Sequence, residues 1–99
     1  MKYWLLLYDV VPDYVERRAP LREEHLRLAR EAHERGELAL AGAFGDGFDA
    51  AAPQVEGAAI VFRGNDRTVA ERFAREDPYV KNGLVTRWRV CEWKVVVGG

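Results

Sequence analysis

The chain has 99 residues and a mass of 11.3 kDa, 48% apolar and 31% charged, which fits one compact domain and excludes a two-domain chain. Its 15 Lys and Arg against 16 Asp and Glu leave a formal charge of −1 with no like-charge block, so the footprint expected of a general nucleic-acid or anionic-membrane binder is missing. One cysteine excludes an intrachain disulfide, and the apolar part of MKYWLLLYDV is too short for a signal-peptide core or a spanning helix, so the expected location is the cytoplasm.

Tyr3 to Tyr8 is an unbroken apolar, aromatic-rich run ended by Asp9 and Pro12, and predicts a strand covered on both faces. A short turn is expected near Asp13 to Arg18, then a helix from about Pro20 to Arg35, with Pro20 in its first turn and Gly36 as its stop. Leu38 to Phe44 and Gly57 to Arg63 read as the second and third strands, joined by a Gly-, Ala- and Asp-rich loop from Gly45 to Glu56. A loop this long is either a solvated connector or a segment bordering a binding site, with Phe48 as its only aromatic. Asn65 and Asp66 are good caps for a second helix that carries Val69, Ala70 and Phe73 on one face and stops near Asp77, because Pro78 disfavours helix in the residue before it. After Gly83, Leu84 to Val97 reads as a long final strand, and no repeat or low-complexity tract interrupts the single domain 1–99.

Strand, helix, strand, strand, helix, strand is the α+β, ferredoxin-like βαββαβ order, an antiparallel sheet with two helices on one face. Strands one and three are central in that topology. Both have two apolar faces, and two helices cover only one, so the other face is expected to meet the sheet of a second copy. An RNA-recognition domain shares the element order. It would need stacking aromatics on the third strand, whereas Gly57 to Arg63 has only Phe62; Arg87, Trp88, Arg89 and Trp93 on the last strand are therefore read as sheet and interface residues, and no nucleic-acid partner is expected.

At about 100° per residue, Leu21, His25, Leu28 and Ala32 form one stripe, opposite Glu23, Glu24, Arg27, Arg30, Glu31 and Glu34. His25 thus sits in the middle of an apolar face, as a hydrogen-bonded core histidine or as a functional one. Asp77 ends the second helix beside its apolar side, where burial and the helix dipole both disfavour a carboxylate. It serves either as a local turn or cap, or as the partner of His25, since both helices pack on the same sheet face.

At Arg22, His25, Gly36-Glu37-Leu38-Ala39-Leu40-Ala41-Gly42, and Asp77-Pro78-Tyr79-Val80 with Gly83-Leu84, the sequence resembles the YCII-related family. The resemblance spans nearly the whole chain and departs at Ala43, where that family often has Pro. It implies a small dimeric α+β barrel domain, a homodimer paired through its sheet faces, with His25 and Asp77 as a catalytic pair. One member of the family is linked to dehydrochlorination of a chlorinated hydroxyhydroquinone. By motif position Arg22, Gly42 and Tyr79 flank the pocket as substrate-binding residues, Arg22 and Tyr79 being suited to an anionic or phenolic substrate; the competing readings are a surface ion pair for Arg22 and a packing ring with an exposed hydroxyl for Tyr79.

In such a pair the carboxylate fixes the imidazole tautomer and stabilises its protonated form, while the other nitrogen moves a proton. That chemistry suits enolisation, lactone isomerisation or loss of HCl from a small, aromatic or lactone substrate, with no cofactor. The competing reading is a non-catalytic dimer that binds a small ligand in the same pocket. No metal is expected: His25 and His33 are roughly 12 Å apart along one helix, and there is no HExxH or cysteine cluster. His33 reads as a solvated helix residue, and Cys91 as a small hydrophobe within a strand.

Overall fold

The computed structural model describes residues 1–99. Strand β1 (Lys2–Val10) leads into a short helix α1 (Tyr14–Arg18), a 3-10 turn (Ala19–Leu21) and helix α2 (Arg22–Glu34). Strands β2 (Leu38–Asp46) and β3 (Gln54–Gly64) form a hairpin, followed by helix α3 (Thr68–Glu76), the single-turn helix α4 (Pro78–Lys81) and strand β4 (Val85–Trp93). The four strands are antiparallel in the order β2-β3-β1-β4. This is the α+β, ferredoxin-like arrangement, with β1 and β3 central.

Local chemistry explains where the helices begin and end. Pro20 lies in the 3-10 turn, so the regular helix starts only at Arg22. At its other end Gly36 adopts φ +81°, and the Gly36 and Glu37 N–H groups donate to the carbonyls of His33 and Ala32. This Schellman arrangement needs a left-handed residue, which glycine supplies without strain. The Asp66 carboxylate accepts from the Thr68 N–H at 2.9 Å at the start of α3.

The core lies between the sheet and the helices. Trp4, Leu6 and Tyr8 of β1 alternate with Tyr3, Leu5 and Leu7, and pair with Phe62, Ile60 and Ala58 of β3 on the same face. Ala32 of α2 and Ala70, Phe73 and Ala74 of α3 close over them. The opposite face carries Leu5, Leu7 and the buried Val61 at its centre, with Leu40 (66% exposed) and Trp93 (46% exposed) on the flanking strands, and the helices lie on the other side.

Two sequence expectations are corrected. The Gly45 to Glu56 loop is shorter, because Gly45 pairs with Val55 and Asp46 with Gln54 beyond an irregularity at Phe44/Gly45, leaving only residues 47–53 as the connection. Those pairings are backbone bonds, to which composition is a poor guide. The last strand ends at Trp93 rather than Val97, because Trp93 is opposite Tyr3 and β1 has almost no residues left to pair with. His33 is an exposed helix residue, as the sequence predicts, and its Nδ1 donates to the Leu38 carbonyl at 2.9 Å.

Arg87, Arg89 and Trp93 share the uncovered face, whereas Trp88, opposite Tyr8, lies on the helix side beneath Arg75. Cys91 is half-buried on the uncovered face, with its Sγ 3.3 Å from an Arg89 nitrogen. No helix is long and apolar enough to cross a membrane.

Candidate functional site

The site grows from the end of α3. Asp77 terminates that helix with an extended backbone (φ −67°, ψ 123°) and at the same time caps α4, its Oδ1 accepting the Tyr79 backbone N–H at 3.0 Å. Pro78 follows at the first position of α4, where its missing N–H costs nothing. The chain thereby turns a carboxylate inward, where Asp77 is fully buried.

An unpartnered carboxylate there would be strongly unfavourable. His25 Nδ1 lies 2.9 Å from Oδ1 and 3.0 Å from Oδ2, and the Tyr8 hydroxyl donates to Oδ2 at 2.8 Å. A carboxylate only accepts, so the proton of the His25–Asp77 bond belongs to Nδ1. Three donors from β1, α2 and α4 therefore converge on one carboxylate. The cap and the histidine partner, alternatives in the sequence, coexist on a single oxygen.

Tyr79 holds the other side of the imidazole, its ring stacked on His25 at 3.9 Å with planes 7° apart. Tyr14 meets Tyr79 edge-on at 5.6 Å, and the Arg18 guanidinium lies 5.5 Å from the Tyr14 ring centre. Burial raises the Tyr79 phenol to about 12 and raises Tyr14 as well, while Arg18 and Arg22 pull both partly back. The Tyr8 phenol is raised furthest, by burial and then by the charge of Asp77. All three phenols are therefore protonated donors at neutral pH.

His25, itself 18% exposed at its side chain, opens on a cavity of about 370 Å³, within the size range of small-molecule pockets. Arg18, Arg22, Tyr14, Tyr79 and Phe48 line it, with Ala41, Gly42 and Ala43 of β2 as its sheet wall. Of the sequence candidates, Arg22, His25, Gly42 and Tyr79 all border this cavity, and Asp77 stands behind His25, out of contact with it. Arg22 makes no surface ion pair, unlike Arg17 with Asp13 or Arg27 with Glu24 and Glu31. Sequence reasoning missed Tyr8, Tyr14 and Arg18. Tyr8 had a signal: a tyrosine on the core face of a central strand needs a partner for its hydroxyl.

A family model described as the YCII-related domain matches residues 1–94. The chain belongs to the YCII-related family. This YCII-related domain is similar in structure to a 5-chloro-2-hydroxyhydroquinone dehydrochlorinase from Burkholderia phenoliruptrix AC1100 in complex with 2,5-dihydroxybenzoquinone, with a TM-score of 0.75, 20% identity and 93% of each chain covered. It also resembles an antibiotic biosynthesis monooxygenase (TM-score 0.55, 13% identity, 98% of this chain and 100% of that one). A third neighbour is the 30S ribosomal protein S6 of Thermotoga maritima (TM-score 0.50, 18% identity, 93% of this chain and 87% of that one). At these identities the likenesses establish the fold. No curated protein sequence matches the chain.

The YCII-related domain has no group of three or more His, Cys, Asp or Glu side chains placed to hold a metal ion. What the arrangement offers chemically is an imidazole oriented by a buried carboxylate, beside arginine and phenol donors in a cavity with an apolar majority.

Proposed function

We propose that the YCII-related domain is a small-molecule enzyme in which His25 and Asp77 transfer a proton. The observation that carries this reading is the bond from His25 Nδ1 to the fully buried Asp77 carboxylate, at the wall of the cavity. With Nδ1 so engaged, Nε2 is the unprotonated nitrogen left to act as a base.

In the proposed reaction Nε2 takes a proton from an acidic C–H or O–H of the substrate, and the released electron pair forms an enolate or a new π bond. In isomerisation the imidazolium returns the proton at a different carbon. In elimination a leaving group such as chloride departs with its bonding electrons. Asp77 remains ionised and stabilises the imidazolium throughout. Arg22 and Tyr79 orient the substrate, and the Gly42 segment forms the wall against which it lies. The structural neighbour's description as a dehydrochlorinase of a chlorinated hydroxyhydroquinone supports a small aromatic substrate and the elimination branch.

We infer further that the domain is a cytoplasmic homodimer joined through the uncovered sheet face, which presents Leu5, Leu7 and Leu40 to a second copy.

The test is turnover of chlorinated hydroquinones and small lactones, each with and without a carboxylate substituent, by wild type and His25→Gln. A fall of roughly 100-fold or more, with far-UV circular dichroism unchanged, is expected for loss of a general base. Equal turnover by both proteins would overturn the reading. Tight binding of such compounds without turnover by wild type would replace the enzyme with a ligand-binding dimer.

A further inference from the structure

Arg18 ends α1 and Arg22 begins α2, four residues apart across the 3-10 turn, and both line the His25 cavity. Neither forms an ion pair, whereas Arg17 is paired with Asp13 and Arg27 with Glu24 and Glu31; Arg30 of α2 is also unpaired but does not line the cavity. No acidic residue lines the cavity, whose other walls are mostly apolar. Asp77, behind His25, is already engaged by His25, Tyr8 and Tyr79 and is buried away from the two guanidiniums. Two cations thus face one small space with no protein counter-charge.

We propose that Arg18 and Arg22 form an anion clamp, and that the ligand it selects is a small planar carboxylic acid whose carboxylate meets the guanidiniums while its apolar body lies toward His25. This deepens the enzymatic reading of the cavity and rests on it. A guanidinium presents a planar fork of donors that matches a carboxylate in two parallel bonds, which a lysine ammonium does not. Arg18 is steadied by the Tyr14 ring beneath it. The protonated phenols of Tyr14 and Tyr79 add donors on the same side, and Ala29, Ala41, Ala43 and Ala58 leave a shallow apolar wall for a flat ring. A neutral analogue would displace water from the two guanidiniums without supplying the charge-assisted bonds that a carboxylate does.

Benzoate and benzamide, alike in shape and different in charge, make the test, titrated against the protein while the His25 ring resonances are followed by NMR. Benzoate should bind at least about tenfold tighter than benzamide and move the His25 signals, and its affinity should weaken as salt is raised. Arg18→Met and Arg22→Met should each weaken benzoate about tenfold and leave benzamide unchanged. Neither arginine is buried, so both variants should melt like wild type. Equal binding of benzoate and benzamide, or benzoate binding to Arg18→Met as to wild type, would overturn the clamp. Charge-blind binding alongside His25-dependent turnover would overturn the clamp alone. Benzoate selectivity with full turnover by His25→Gln would overturn the proton-transfer reading instead.

Discussion

His25 lies flat against Tyr79, ring centroids 3.9 Å apart and planes within 7° of parallel. The same Tyr79 donates its backbone N–H to the carboxylate that orients His25. One residue therefore sets both the plane of the imidazole and the position of its partner. Tyr79→Phe should preserve the stack and the His25 spectrum while raising KM through loss of the orienting phenol, whereas Tyr79→Leu should broaden the His25 resonances and lower kcat at least about tenfold. Matching His25 spectra for the two variants would show that the stacking does not hold the ring.

Asp77→Asn should destabilise the fold as well as damage the site. An amide has one accepting oxygen where the carboxylate has two, so its NH2 must face one of the donors now supplied by His25, Tyr8 and Tyr79. Leaving one buried donor unpaired costs about 1–3 kcal/mol. Tyr8→Phe, which removes a donor to the same carboxylate, should cost about 1.5–3 kcal/mol. Urea unfolding of both variants beside His25→Gln checks this; His25 is partly exposed and should cost less.

Stability should fall in alkali. The Tyr8, Tyr14 and Tyr79 phenols are all raised above the ordinary tyrosine value near 10, Tyr79 to about 12, chiefly by burial. Above pH 10 the unfolded chain releases these protons while the folded state keeps them, so ionisation favours unfolding. Stability present below pH 10 should be lost progressively as pH rises toward 12, and Tyr8→Phe should make that decline shallower. Denaturant midpoints between pH 8 and 11.5 provide the measurement, and a flat profile would contradict the burial of these phenols.

The open sheet face should make the protein a dimer at micromolar concentration by sedimentation. Leu40→Glu should shift it toward monomer with little effect on the fold, because Leu40 is 66% exposed in the single chain. A monomeric wild type would leave that apolar face to water and overturn the pairing.

Much of this was legible in the amino-acid pattern, for reasons that also mark where legibility stops. His25 was visible because one imidazole interrupts a stripe of Leu21, Leu28 and Ala32. Asp77 was visible because a carboxylate before a proline fell beside Phe73's face of the helix. Their proximity followed from the topology, which lays α2 and α3 on one side of the sheet. Tyr8, a core-facing tyrosine on a central strand, signalled that its hydroxyl needs a partner, but nothing local names that partner as Asp77, 69 positions away. Arg18 and Tyr14 were hidden because a five-residue helix has too little periodicity to show which side faces the cavity. The extra pairs of the β2–β3 hairpin escaped because Gly45 and Asp46 join the ladder through backbone groups alone.

The double duty of Asp77, as the last word of one helix and the first of the next, links the site to the order in which the molecule assembles. Its partners lie 69 residues back at Tyr8 and 52 residues back at His25, so the constellation exists only after β1, α2 and the α3–α4 joint have all docked. The Tyr79 amide, held by Asp77, then becomes a natural clock for that event. In native-state hydrogen exchange it should be released with the global unfolding of the sheet rather than with the fraying expected of a four-residue helix. A substitution that loosens this corner should therefore speed exchange at Tyr79 in step with the loss of global stability.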